Sequence, residues 1–158
     1  MSSLYGTADG KLDANRRLSV PVGLRRDPAV GITYDRFFLK YGSEGCLQLY
    51  PVDEWRGVED KLRRLLKGDR EDRRFVYAFL KDACWVSVDS QGRITIPPAL
   101  QDRAGLGTDV ALRGNIDHIA VWNKARMSPD ADRLSDDELA ALEQVKLKDE
   151  SHGGTARA

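Results

Sequence analysis

The sequence repeats itself, and the repeat restricts what the chain can fold into. D-G-K-L-D-A-N-R-R-L-S-V-P runs from Asp9 to Pro21, and V-D-S-Q-G-R-I-T-I-P runs from Val88 to Pro97. Asp13, Arg17, Pro21 and Leu24 align with Asp89, Arg93, Pro97 and Leu100 at a constant offset of 76. Further on, Leu47, Leu49 and Tyr50 align with Ile119, Val121 and Trp122 at an offset of 72. The difference falls in a loop, where insertions are cheap. This spacing marks an internal duplication of one β-rich unit.

Each copy reads as strand, tight turn, strand and stop. Leu18 and Val20 alternate with Arg17 and Ser19, the period of a half-buried strand. Pro21 and Pro97 then end the strands, because proline cannot donate to a sheet ladder. In the second copy Ser90-Gln91-Gly92 fits a three-residue hairpin loop with glycine in the left-handed position. In the first copy Arg16 stands where Gly92 does. Either Arg16 adopts that conformation, at a cost of about 1 kcal/mol, or Asn15, which tolerates it better, adopts it instead. Asp13, Asp89 and Gly92 are assigned to building the turns, each aspartate pairing with the arginine four residues on. Arg93 is open to either a turn-building or a ligand-binding role.

The remaining elements follow from periodicity. Leu4 to Leu12 reads as a first strand, and Pro21 to Arg26 as one helical turn with Leu24 inward and Arg25 and Arg26 outward. Phe37 to Tyr41 and Cys46 to Tyr50 read as a strand pair across the Gly42–Gly45 turn. Trp55, Val58, Leu62, Leu65 and Leu66 recur at helical spacing, as do Phe75, Val76, Phe79, Leu80 and Ala83. Gly68 ends the first of these helices and Asp69 caps the second. The second unit then offers a short helix from Pro98 to Ala104 and strands at Val110–Arg113 and Ile119–Trp122. The expected fold is mixed α/β, mainly β, with two pseudo-symmetric modules joined by a helical hairpin. The divisions are 5–54 for module one, 55–81 for the helical hairpin and 82–126 for module two. Residues 127–158 form an acidic tail, helical in part or disordered, with a Ser135/Glu138 capping box and a disordered end at 151–158.

Charge is balanced overall, with 25 basic and 25 acidic residues, but unevenly placed. From Lys11 to Arg26 five bases face one acid, whereas from Ser128 to Glu150 eight acids face three bases. Lys11, Asn15, Arg16 and Arg17 cluster on or beside one hairpin tip. Loop tips are available for binding, and arginine reads guanine through bidentate contacts to O6 and N7. A second basic surface lies between Lys61 and Arg74, on the solvated faces of the two helices. Cys46 and Cys84 form no C-x-x-C and sit in apolar runs, as small buried hydrophobes do. His118 and His152 are too isolated to suggest a metal site. The chain shows no phosphate loop, nucleophile elbow or ligand cluster, and an Asp–Arg pair cannot act as an acid–base dyad because arginine keeps its proton. No enzyme, cofactor, metal or catalytic residue is expected. The start lacks the basic and apolar regions of a signal peptide, and no window has about 18 apolar residues. The expectation is a soluble, cytoplasmic protein without membrane contact.

On these residues the chain resembles the MraZ family, whose members carry two SpoVT–AbrB-like modules of swapped-hairpin type. The resemblance rests on both D-x-x-x-R motifs (Asp13 to Arg17, Asp89 to Arg93) and both V/I-P closures. It extends to G-C-L-Q-L-Y-P-V-D-E-W from Gly45 to Trp55, R-R-F-V from Arg73 to Val76 and R-A-G-L from Arg103 to Leu106. It implies a ring-shaped homo-oligomer and a nucleoid-associated transcriptional regulator, a repressor acting also on its own promoter. Its partner would be double-stranded DNA, read at short G-rich direct repeats upstream of the division and cell-wall gene cluster. The family's DNA-contacting arginine corresponds to Arg17. Family members usually have Lys-Gly before it, whereas this chain has Asn15-Arg16, which moves the basic charge by one position and removes the glycine. Two other readings fit the same sequence: an oligomeric scaffold whose basic face holds an acidic partner, and an AbrB-like antitoxin.

Overall fold

The computed structural model describes residues 1–127 and 134–148. They fall into two compact units divided after Arg126. The first begins with β1 (Thr7–Lys11), β2 (Arg17–Ser19), the single turn α1 (Val22–Arg25) and the two-residue strands β3 (Arg26–Asp27) and β4 (Ile32–Thr33). β5 (Arg36–Tyr41), β6 (Leu47–Pro51), α2 (Val52–Leu66) and α3 (Arg70–Phe79) follow, then β7 (Cys84–Ser87) and β8 (Arg93–Thr95). α4 (Pro98–Arg103), β9 (Asp109–Gly114) and β10 (Ile119–Asn123) complete it. The fold is mixed α/β and mainly β.

The two halves of the first unit interleave. One six-stranded sheet runs in the order β1-β9-β10-β6-β5-β7, with every neighbouring pair antiparallel. β1 is therefore held by β9, Thr7 opposite Arg113 and Lys11 opposite Asp109. β5 is held on one side by β6 and on the other by β7. A separate two-stranded sheet joins β2 to β8.

Alternation along the strands sends apolar side chains to both faces of the large sheet. One face packs Phe37, Leu39, Leu47, Leu49, Leu112, Ile119 and Val121 against Leu18, Val20, Leu24, Ile94, Ile96 and Leu100. The second core holds Phe38, Trp55, Leu62 and Val76, and there the α2–α3 hairpin covers the sheet. Phe38 stacks on Trp55 at 3.8 Å and 12°, while Phe79 lies parallel to Trp55 at 6.5 Å. Removing a ring such as that of Trp55 from this stack would cost about 3–5 kcal/mol.

Helix ends follow local rules. Asp69 caps α3, its Oδ1 accepting from the Asp72 N–H at 2.8 Å, while the Asp72 carboxylate returns to the Asp69 N–H. Pro51 ends β6 and serves as the residue before α2, whose first turn carries Asp53 and Glu54 and whose last carries Arg63 and Arg64.

One expectation is overturned. Arg25 does not face outward: it is 8 % exposed, and its guanidinium donates to the carbonyls of Val20 (2.8 Å) and Tyr34 (3.1 Å). A backbone bend with two unclaimed carbonyls needs a buried donor, and arginine supplies a fixed fork of them. Asp27, also buried, accepts from the Ser3 and Ala29 N–H groups at 3.0 Å.

In the second unit Ser135 and Glu138 form the capping box of α5 (Asp136–Glu143), which continues into a π-helical turn, Gln144–Lys148. The expected disordered end at 151–158 lies outside the described residues.

Candidate nucleic-acid interface

The two turns are built by the same bonds. Asp13 Oδ1 accepts from the N–H groups of Asn15 (2.8 Å) and Arg17 (2.9 Å), and Asp89 Oδ1 from those of Gln91 and Arg93, both at 2.9 Å. The Arg16 and Gly92 N–H groups donate to the carbonyls of Asp13 and Asp89 at 3.0 Å. These N–H bonds, that to Arg17 foremost, hold the Asp13 carboxyl below its usual range, and the Arg93 N–H does the same for Asp89. The aspartates thus lock the turns through the backbone more than through an ion pair.

The left-handed position is shared as well. Arg16 has φ 60° and Gly92 φ 78°, so Arg16 itself, and not Asn15, adopts the strained conformation. The turns also bind each other. The Arg16 carbonyl accepts from the Ile96 N–H at 2.8 Å, and the Gly92 carbonyl accepts from the Val20 N–H at 2.9 Å. Those residues are equivalent under the 76-residue offset, so the contact is pseudo-two-fold.

Between the turns, β2 and β8 pair Arg17 with Thr95, Leu18 with Ile94 and Ser19 with Arg93. Leu18 and Ile94 are buried, so alternation places Arg17, Ser19, Arg93 and Thr95 together on the opposite, outward face. The sequence placed each arginine on a strand, but the pairing that brings Arg93 and Thr95 beside Arg17 had no signal. Ser19 shares the Arg17 face by alternation alone, and Thr95 was therefore the member of this face that was missed.

The arginines differ in freedom. Arg93 Nε donates to Asp89 Oδ2 at 3.1 Å and is partly buried. Among the described residues no hydrogen bond or ion pair engages the Arg17 guanidinium, and Arg16 and Arg17 are both exposed. Lys11 is committed elsewhere, in an ion pair with Asp109 across the β1–β9 ladder that lowers the Asp109 carboxyl. The basic cluster counted from sequence thus loses Arg25 to burial and shares Lys11 with an acid. Arg16 and Arg17 remain as the exposed cations at the hairpin tip.

Among the described residues no group of histidines, cysteines or carboxylates has the arrangement of a metal site, and no helix is long and apolar enough to cross a membrane. The thiols are inert in character: burial pushes Cys46 up to about 11 and raises Cys84.

The family model for the MraZ protein, described as antitoxin-like, matches residues 79–148. Proteins named transcriptional regulator MraZ are similar over most of the chain. The one from Clostridium beijerinckii is 38 % identical over 117 residues, covering 74 % of this chain and 79 % of its own. That from Acetivibrio thermocellus is 35 % identical over 144 residues, covering 91 % and 94 %. That from Christiangramia forsetii is 30 % identical over 154 residues, covering 97 % and 99 %. With the duplicated turns, their interleaved sheet and this similarity along nearly the whole length, the chain belongs to the MraZ family.

Proposed function

We propose that this protein is a DNA-binding transcriptional regulator that reads short G-rich direct repeats in promoter DNA with the β2–β8 ribbon. It is a regulator and not an enzyme, in keeping with relatives that carry the name transcriptional regulator. The observation that carries the reading is the freedom of Arg17 on the outward face of a two-stranded ribbon, a shape that the major groove accommodates. Arg17 reads guanine, and Arg16 beside it contacts base or phosphate. Asn15 at the tip and Arg93, tied to Asp89, add polar and phosphate contacts. Lys11 contributes to the local field, and Asp13, Asp89 and Gly92 hold the turns.

A single ribbon with so few cations would bind weakly. A ring of identical copies, each presenting its ribbon to one direct repeat, multiplies weak contacts through effective concentration. Each phosphate neutralised adds about 0.9 to the slope of log affinity against log salt. Such a protein acts as a repressor of the division and cell-wall cluster, its own promoter included, and associates with the nucleoid.

The test is a mobility shift at near-physiological salt, with a fragment bearing G-rich repeats and a scrambled competitor. Preferential retention of the repeats is the expected result. Equal competition by the scrambled fragment would remove sequence reading and leave the scaffold reading. Co-purification with a small toxin would support the antitoxin reading.

A further inference from the structure

Away from the ribbon, a cavity of about 470 Å³ opens between β5, β6, α3 and the end of α4. Its volume lies within the range of small-molecule sites, about 300–1,000 Å³. Two cations belong to it. Lys40 is only 5 % exposed, although lysine is among the residues least often fully buried. Its Nζ donates to the Tyr41 carbonyl at 2.6 Å and lies near Gln48 Oε1 at 3.4 Å, leaving a third donor over. The ammonium also sits 4.2 Å from the centre of the Phe79 ring. Arg103, from the last turn of α4, lies over the Tyr41 ring at 4.2 Å.

Among the described residues neither cation has a carboxylate partner. A buried charge without a counter-ion is costly, and burial accordingly lowers the Lys40 pKa, with Arg103 adding to the effect. The surroundings are shaped around the polar groups. Gln48 reaches both Lys40 and the Tyr50 hydroxyl, and a Cβ at Gly42 would stand 2.9 Å from the Gln48 side chain. Phe75 and Phe79, 5.5 Å apart, make an apolar wall, and Phe75 is half exposed.

From this arrangement we infer that the cavity is a binding site for a small phosphate monoester with a flat body. The phosphate lies between Lys40 and Arg103, with the Tyr50 hydroxyl and Gln48 amide in reach, and the flat body lies along Phe75 and Phe79. A monocarboxylate would leave one cation unbalanced, whereas a phosphate monoester carries about −1.5 to −2 at neutral pH and balances both. Aromatic walls favour a planar body over an aliphatic one. The site is separate from the β2–β8 ribbon, and its occupant is a small-molecule effector rather than DNA.

Adenosine monophosphate, adenosine and inorganic phosphate serve as probes, titrated calorimetrically into the full chain. The expected order is the monophosphate first, with adenosine and phosphate each weaker by about tenfold or more. Lys40→Met should weaken the monophosphate by at least about tenfold and leave the melting temperature equal or higher, since a hydrophobe of similar volume replaces an unpaired buried charge. Arg103→Gln, on an exposed helix end, provides the same test if the core variant misfolds. Arg17→Ala should bind the monophosphate as the parent does. Absence of binding at millimolar monophosphate, unchanged binding by both cavity variants, or loss of binding in Arg17→Ala would each overturn the site. Phosphate binding as tightly as the monophosphate would overturn recognition of the flat body.

Discussion

The turns at Asp13–Arg17 and Asp89–Arg93 share a backbone and differ in what their side chains are left to do. In both, an aspartate accepts from the same two N–H groups and a left-handed residue follows. The second turn spends its arginine on the aspartate and has glycine where glycine is easiest. The first leaves its arginine unengaged and puts a second arginine at the strained position. Backbone strain of about 1 kcal/mol is tolerated there because the surrounding bonds determine the turn. The two turns thus share one backbone scaffold and differ in their side chains. The second turn ties its arginine into the turn, whereas the first leaves both of its arginines exposed.

The largest separation between the copies should appear in DNA binding. Arg17→Ala is expected to lower affinity for G-rich repeats by about 100-fold or more, since each bidentate contact is worth about 1–3 kcal/mol and is lost from every ribbon of an assembly. Its melting temperature should stay near that of the parent. Arg93→Ala should weaken DNA binding by about tenfold or less, as expected for a phosphate contact, while lowering the melting temperature slightly. Equal losses in a filter-binding comparison would erase the functional distinction.

A smaller effect concerns the left-handed position. Gly92→Ala should destabilise by about 1 kcal/mol in urea denaturation, because Arg25 Nη2 lies 3.7 Å from the added Cβ and only the φ of 78° opposes it. Arg16→Gly should show no loss of stability, relief of strain offsetting the greater freedom of the unfolded chain. A Gly92→Ala variant as stable as the parent would mean that the turns do not impose this conformation.

The smallest effect is acid dependence. Asp13 and Asp89 both have folded-state values depressed below the ordinary 3.8. A depressed carboxyl stabilises the fold above its unfolded value, and that contribution disappears as pH falls from about 3.8 through the folded-state value. Asp13→Asn and Asp89→Asn keep the acceptor oxygen but not the charge. Each should therefore flatten the fall of melting temperature with acid relative to the parent. The Asp89 change should be the larger, since arginine charge acts on both carboxylates but Asp89 also accepts a side-chain hydrogen bond from Arg93. An unchanged acid profile in both would show that their N–H bonds carry no such dependence.

Local features of the fold were legible in the chain because short-range physics decides them. The two turns, the Asp69 and Ser135 caps and the apolar stripes of α2 and α3 each depend on residues within a few positions of one another. The D-x-x-x-R spacing was legible for the same reason, since the Asp13 and Asp89 carboxylates bond residues two and four positions on. Arg25 misled because an arginine on a short helical turn normally faces water. Its acceptors, Val20 and Tyr34, belong to segments that tertiary folding brings together.

What the sequence by itself determined is therefore the repeated motif, its two turns and the location of the tip cations. Only the tertiary structure decided which strands pair. β1 joins β9 and β2 joins β8 between residues 74 or more positions apart in the chain, where no short-range preference acts and burial of both sheet faces selects the partner. The same packing decided that Arg16 and not Asn15 takes the left-handed turn position, that Lys11 meets Asp109, and that Arg17 alone of the two motif arginines stays unengaged.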